Sequence, residues 1–344
     1  MRSSVERAIE IVMAGAAVWV PPPPGLTRLA ARRTALAGEI FSRREREVER
    51  AQALHFDRGP GRDLAPGASP LFRIAEEMVD ELRSRLQGDA WRSGIVAGLL
   101  ATVDARLPTA AIEYMDRPDF DEAKRVLAVS ALDTWSRRCG NYALFYDALR
   151  PLLGGDGITT LIDIASGSGG FPLALAALVP KSHLVRIIAT DSRPEYLAVG
   201  RSRARSAGLA NIEFRVLDAA RLGQHEINEG NEGGDVDVIT CTQSLHHLGA
   251  GGVAVLLAEA LRVARRGIFF VDLSRALSLA VATGAVSLLA GLHRSFLHDA
   301  TVSARKAFVP EELALIARCV PGGDQLEAFF LPPGFVVLRS RVTA

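Results

Sequence analysis

At 344 residues, with 40 basic and 39 acidic side chains and a net charge of +1, the chain lacks the positive excess that would draw it to nucleic acid. It is longer than the roughly 150–250 residues of one α/β domain, so an added module is expected. Cys139, Cys241 and Cys319 are odd in number and scattered, which argues against a disulfide framework or a metal set and suits a reducing cytoplasm.

Residues 3–19 predict a helix with Val5, Ile9, Val12 and Met13 on one face, and Pro21 to Pro24 then impose a stiff extended connector. Ile9 to Val20 is short and carries Glu10, which argues against a signal peptide. A second helix is predicted over Leu26 to Gln52, with Leu29, Leu36, Ile40 and Phe41 at helical spacing. The mixed run Arg43 to Glu47 reads as its solvated face. Glycines and prolines make His55 to Ser69 a loop, after which Ser69 and Pro70 open a helix to about Leu86. Another is expected from about Asp89 to Arg106. No chemistry stands out in these first hundred residues. Residues 1–110 are therefore expected to form an all-helical module that packs on the following domain, covers its mouth or forms a homodimer.

Residues 111–344 change character. A helix is predicted from Asp121 to about Arg137, followed by Cys139-Gly140-Asn141-Tyr142 and further aromatics. Thr160 to Ile164 is an apolar strand that passes through Asp163 into Ala165-Ser166-Gly167-Ser168-Gly169-Gly170, and a helix follows. Glycines there let the backbone approach a ligand, while the N–H groups of the first helical turn face it. Further strands end in Asp191, Asp218 and Asp272, and one near Asp237 to Thr242 runs into Gln243-Ser244-Leu245-His246-His247-Leu248. Helices are expected over Glu195–Ala207 and Val253–Val263, with a polar loop over Gln224–Gly234. Gln325–Leu331 and Phe335–Val342, joined by Pro332-Pro333-Gly334, predict an antiparallel hairpin. Ala276 to Leu292 is apolar but slightly short of a membrane span. It is expected to be a buried or ligand-facing helix that forms a lid together with His293–Phe308.

This set of motifs resembles the class I S-adenosylmethionine-dependent methyltransferases, in their small-molecule branch. Asp163-Ile164-Ala165-Ser166-Gly167-Ser168-Gly169 is similar to their first motif, Asp-x-Gly-x-Gly-x-Gly, with alanine in place of the first glycine. The resemblance covers roughly the last two thirds of the chain. It implies an α/β fold with a Rossmann-like sheet of seven strands, the last hairpin antiparallel, to which the helical N-terminal module is added. It also implies S-adenosyl-L-methionine as cofactor. Asp191 falls where the family holds the ribose, Asp218 and Ala219 where it holds the adenine edge, and Asp163, Ala165, Gly167 and Gly169 form the turn. Ser192, Gln243 and Tyr142 complete the expected cofactor set, Tyr142 from the lead-in segment that closes over the methionine end.

Methyl transfer is an in-line displacement in which the protein mainly aligns the nucleophile and excludes water. An oxygen nucleophile also calls for a base near neutral pH, and histidine fits. His246 and His247 lie on a strand-end loop, and His298 lies beside Asp299 in the lid. These three are the catalytic candidates. Asp272 and Arg275 read as a salt-bridged hinge meeting the lid. The expected substrate is a small apolar or aromatic metabolite of bacterial specialised metabolism, methylated on oxygen, with no nucleic-acid partner, no stable membrane insertion and no metal. Carbon or nitrogen methylation stays open, as does a cofactor-binding cyclase or scaffold that transfers no methyl group.

Overall fold

A computed structural model describes residues 24–56, 69–93, 95–154, 158–180, 184–219, 222, 236–275 and 294–342. The expected helix over 3–19, the loop over 224–234 and the apolar stretch 276–292 lie outside these residues. The first helix, α1 (Pro24–Phe56), begins on the last of the four prolines, where a missing N–H costs nothing. The next, α2 (Pro70–Ala90), runs past the predicted end. Arg32 of α1 pairs with Asp89 near its last turn at 2.5 Å. A short 3-10 turn at Trp91–Ser93 precedes α3 (Ile95–Arg106), so the helix expected from Asp89 starts later.

The lead-in consists of α4 (Glu122–Arg138) and α5 (Asn141–Leu149). Asp121 caps α4 by accepting from the Lys124 N–H at 2.9 Å, and Gly140, at φ +73°, makes the break that predominantly glycine tolerates. Then come β1 (Thr159–Ile164), α6 (Gly170–Leu178), β2 (Val185–Asp191), α7 (Pro194–Ser206), β3 (Ile212–Val216) and β4 (Val238–Thr242). The chain continues through α8 (Gly249–Val263), β5 (Gly267–Leu273), α9 (Arg294–Lys306), α10 (Pro310–Arg318), β6 (Leu326–Leu331) and β7 (Phe335–Ser340).

The seven strands form one sheet in the order β3-β2-β1-β4-β5-β7-β6. β1 to β5 are parallel, while β7 inserts antiparallel between β5 and β6. This is the expected fold. Strand order reverses between β1 and β4, and in open α/β sheets that reversal opens a crevice at the strand carboxyl ends. Both faces are covered. Leu161 joins Phe145, Phe171 and Phe335 in one cluster, while its neighbours Ile162 and Ile164 join the other, as a strand's two-residue period requires.

That second cluster also contains Leu36, Ile40, Leu71, Met78 and Leu82 from α1 and α2. These helices therefore share one core with the sheet. Contact between α2 and α8 is close: a Cβ on Gly251 would come within 2.6 Å of the Phe72 carbonyl oxygen. Glu76 accepts from the Gly251 N–H at 2.9 Å, placing an anion at the positive end of α8. No helix of the described residues is long and apolar enough to cross a membrane.

A buried ion cluster fastens the same junction. Arg275, just past β5, donates to both carboxylate oxygens of Glu312 at 2.8 and 2.6 Å and to the Ala307 carbonyl at 2.9 Å. Asp104 of α3 lies 3.3 Å from Arg275, and Arg83 of α2 reaches Glu312 at 2.8 Å. The expected hinge is thereby corrected in part. Arg275 does reach the segment after residue 293, but Asp272 turns the other way, to His246. Burial works against the Glu312 carboxylate, yet Arg275 and Arg83 outweigh it and hold its pKa well below the usual range. Glu312→Ala leaves Arg275 buried with Asp104 as its remaining carboxylate, and should cost about 3–5 kcal/mol of stability. The check is the urea midpoint, and an unchanged midpoint would contradict this account.

Candidate active site

The site begins where β1 ends. Asp163 is fully buried, and its carboxyl accepts from the Thr240 hydroxyl at 2.6 Å and the Ser166 hydroxyl at 2.7 Å. It thus braces the turn from inside and does not line the cavity. Burial, with Asp191 and Asp133 nearby, pushes its pKa up to about 7 against the two hydroxyl bonds. The turn itself is left-handed at Ala165 (φ +52°), Gly167 (φ +55°) and Gly169 (φ +79°). Alanine at the first position therefore carries strain of about 1–2 kcal/mol. Gln243, at the tip of the adjacent strand β4, is also left-handed, at φ +57°. Such outliers concentrate where the backbone must meet a ligand.

These strand tips and the lead-in helices enclose a cavity of about 570 Å³, within the roughly 300–1,000 Å³ of small-molecule sites. Its walls are largely apolar and aromatic, with Phe120, Val129, Leu132, Trp135 and Phe171 among them. Asp191 lines it at the end of β2, its carboxylate accepting from the N–H groups of Gly167 and Arg193, both at 2.9 Å. Burial nevertheless raises the Asp191 pKa against those two bonds. Of the residues expected to hold a cofactor, Ala165, Gly167, Asp191, Ser192, Ala219, Gln243 and Tyr142 line this cavity. Gly169 sits behind it against Phe214, and Asp218 is exposed outside it.

Sequence reasoning missed Asp133. From α4 it accepts from the Tyr142 hydroxyl at 3.0 Å, from Ser168 and from Arg203 at 3.0 Å, locking the lead-in onto the glycine turn. A Cβ on Gly170 would lie 2.2 Å from its carboxylate, so a side chain there would push Asp133 off its partners. Ser136, one helical turn on, donates to the Gln243 side chain at 3.1 Å. An acid on a plain amphipathic helix carries no local signal of such a partner set.

The histidines fall in two places. His246 and His247 form a short 3-10 turn after β4, and both line the cavity. The His246 Nδ1 lies 2.9 Å from both carboxylate oxygens of Asp272, which also accepts from the His246 backbone N–H at 2.8 Å. Its Nε2 lies 3.7 Å from the buried Glu113. His247 stacks on it, with ring centroids 4.1 Å apart, and its Nδ1 lies 2.9 Å from Asp116. Burial opposes charge on His247, but the Asp116 hydrogen bond and the nearby carboxylates win and raise its pKa. His298 is elsewhere: its Nδ1 turns to Asp299 at 3.0 Å, its ring rests on Tyr114, and it does not line the cavity. Asp299 does line it, and accepts from the backbone N–H groups of Tyr114 and Met115 at 2.6 and 3.2 Å.

With this geometry established, residues 161–267 match a family model described as a methyltransferase domain. No curated protein sequence matches the chain. Among solved structures, a SAM-dependent methyltransferase from Aquifex aeolicus is similar at 16% identity, over 65% of this chain and 100% of that one, with a TM-score of 0.41. An O-methyltransferase family protein from Burkholderia thailandensis is 14% identical over 78% and 72%, TM-score 0.46. The magnesium protoporphyrin IX methyltransferase of Synechocystis PCC 6803 is 14% identical over 78% and 98%, TM-score 0.35. The matched span runs from β1 to the start of β5, across the glycine turn and the strand-order reversal. Residues 161–267 are thus a methyltransferase domain by this match, and the cofactor it implies is S-adenosylmethionine.

The residues present fit that cofactor. The left-handed turn keeps side chains off the cradle, and a buried acid stands at the tip of β2. The bracing role of Asp163 carries its own test. A carboxyl raised from about 4 in the unfolded chain to about 7 in the fold adds stability below the lower value, which is lost as pH rises through the upper one. Asp163→Asn should therefore lose less stability than wild type between pH 5 and 8, where each unit costs at most about 1.4 kcal/mol. Denaturant midpoints at several pH values read this directly, and parallel profiles would refute it.

Proposed function

We propose that this enzyme methylates a hydroxyl of a small apolar or aromatic metabolite of specialised metabolism, in the cytoplasm. The observation that carries the reading is one apolar cavity holding both the cofactor turn and the His246-His247 pair. Bound S-adenosylmethionine would supply a methyl carbon on a sulfonium. The chain's own work is to hold the adenosyl part, seat the acceptor oxygen and handle its proton. Asp191 would accept from the ribose hydroxyls, while Trp135 and its apolar neighbours exclude water. Asp272 orients His246, so that the pair is the place where the acceptor hydroxyl is activated. That polar device favours oxygen transfer over a scaffold that only binds the cofactor.

Residue 110 is retained as the functional boundary, because the described cavity lining starts at Glu113. Residues 24–106 would then act as structural cover of the far sheet face. A homodimer through these helices belongs to the same proposal, supported by the exposed apolar row Ile95, Leu99 and Val103 on α3. Three free cysteines suit the cytoplasmic location.

Asp191→Ala removes a charge-assisted ribose contact and should weaken S-adenosylmethionine binding by roughly ten- to hundredfold, about 1.5–3 kcal/mol. Calorimetry decides it. If wild type binds a nicotinamide dinucleotide better, the cofactor assignment is wrong. Replacing the activating group, His246→Asn, should lower turnover on a phenolic acceptor by about 10²–10⁴-fold with cofactor affinity kept. His298→Asn should have a much smaller effect, since that ring does not line the cavity. The opposite ranking in initial-rate assays would return the role to His298.

A further inference from the structure

Deep in the cavity wall the Glu113 carboxylate is 1% exposed, and its Oε1 has no hydrogen-bond partner among the described residues. A buried carboxyl oxygen without a hydrogen-bond partner is unusual enough to need a reason. Two imidazoles lie near it: one donor atom each from Glu113, His246 and His247 lies within 4.8 Å of the other two. Two imidazoles and one carboxylate are a ligand set for a divalent transition metal that retains an open position.

We propose that Glu113, His246 and His247 bind one divalent cation of borderline softness, zinc in the first instance, at the inner wall of the substrate cavity. The second layer of groups is already built for this. Asp272 and Asp116 are carboxylates, acceptors when ionised, and each lies 2.9 Å from an Nδ1. A neutral ring that donates from Nδ1 to its carboxylate carries its lone pair on Nε2, the atom that an ion would take. Carboxylate-histidine pairs of this kind orient metal-binding imidazoles.

The three donor atoms, within 4.8 Å of one another, would draw together on loading. Donors about 2.1 Å from a tetrahedral ion stand about 3.4 Å apart, and Glu113 Oε1 lies 3.7 Å from His246 Nε2. The backbone that follows Glu113 is held in place from two sides. Asp299 accepts from the N–H groups of Tyr114 and Met115, and Arg125 donates to the Met115 and Arg117 carbonyls at 2.7 and 2.8 Å.

The role of the ion rests on the proposed oxygen methylation, although its binding does not. The fourth position would take the acceptor oxygen as a Lewis base and lower its pKa, so that its proton passes to bulk solvent as the acceptor enters, before the apolar walls close out water. The oxygen lone pair then forms the new bond to the methyl carbon. The carbon–sulfur bond breaks, and its electron pair returns to sulfur. The histidines would activate the hydroxyl through the ion, without taking the proton themselves.

The test uses the full chain stripped with a chelator and titrated with Co²⁺ alone. Wild type should bind one equivalent, show visible d–d absorption, and lose the bands when Zn²⁺ is added. Asp116→Asn should weaken binding by about 10–100-fold, Glu113→Gln and His247→Ala by more, and His298→Ala not at all. S-adenosylmethionine calorimetry on each variant reports whether it is folded. Should Glu113→Gln fail to fold, Asp116→Asn still decides, since that side chain is 38% exposed. Absence of bands, or bands unchanged in Glu113→Gln and His247→Ala, overturns the site. Cobalt binding without S-adenosylmethionine binding would uphold the site and sink the proposed function, and the reverse would sink the site alone.

Discussion

The clasp on Asp163 is the interaction on which the rest of the site depends. One buried carboxyl takes a hydroxyl from Thr240 of β4 and another from Ser166 of the turn. The same Ser166 hydroxyl accepts from the Thr190 N–H at 3.1 Å, and the Thr190 hydroxyl returns to the Asp163 carbonyl at 2.9 Å. Three adjacent strand ends and the glycine turn are thus tied at one point. A strained turn persists only where its surroundings over-determine it. Here the strain at Ala165 is held by bonds that originate two residues earlier, at Asp163, and one residue later, at Ser166.

A second lock works from outside the sheet. Asp133 gathers Tyr142, Ser168 and Arg203, so α4 is pinned on the outer side of the turn whose inner side Asp163 braces. From the same helix Ser136 bonds Gln243, the other strained tip. Both left-handed non-glycine residues therefore face the cavity with side-chain or backbone support from neighbouring elements. This geometry separates the cradle from the histidine wall, since Gln243 and Ser244 stand between the β1 turn and His246.

Much of this was legible in the sequence. Acids at the ends of successive apolar strands, with small residues after the first, were enough to place β1 to β5 and the crevice, because strand and turn signals are local. The final hairpin was legible for the same reason, with Pro332-Pro333-Gly334 between two apolar runs. What stayed hidden depends on distant pairs. Asp272 read as a hinge acid, yet the pairing of β4 with β5 puts the two strand ends side by side and delivers it to His246, 26 residues earlier. Glu113 and Asp133 have no local signature, because their roles exist only after α4 and α9 close on the sheet. The placement of His298 was hidden for a related reason. An adjacent acid suggests a catalytic pair, but Asp299 is committed to two backbone N–H groups at the cavity wall, while the His298 ring rests on Tyr114 outside the lining.

The far side of the sheet explains how a charged cluster can sit beside an apolar cavity without collapsing it. Arg275 follows β5 and is held by Glu312 and Asp104, which fixes the end of the strand that carries Asp272. Arg305 of α9 donates to the Leu107 carbonyl at 2.8 Å, so the segment leading to Glu113 is anchored at its start as well. The helical region therefore contributes no side chain to the cavity among the described residues, but it sets the position of two that matter. Asp272 is held through the strand it ends, and Glu113 through the chain that enters the wall. Loosening that junction would act first on the carboxylates facing His246, while the glycine turn, braced by Asp163 and Asp133 three strands away from β7, would keep its shape.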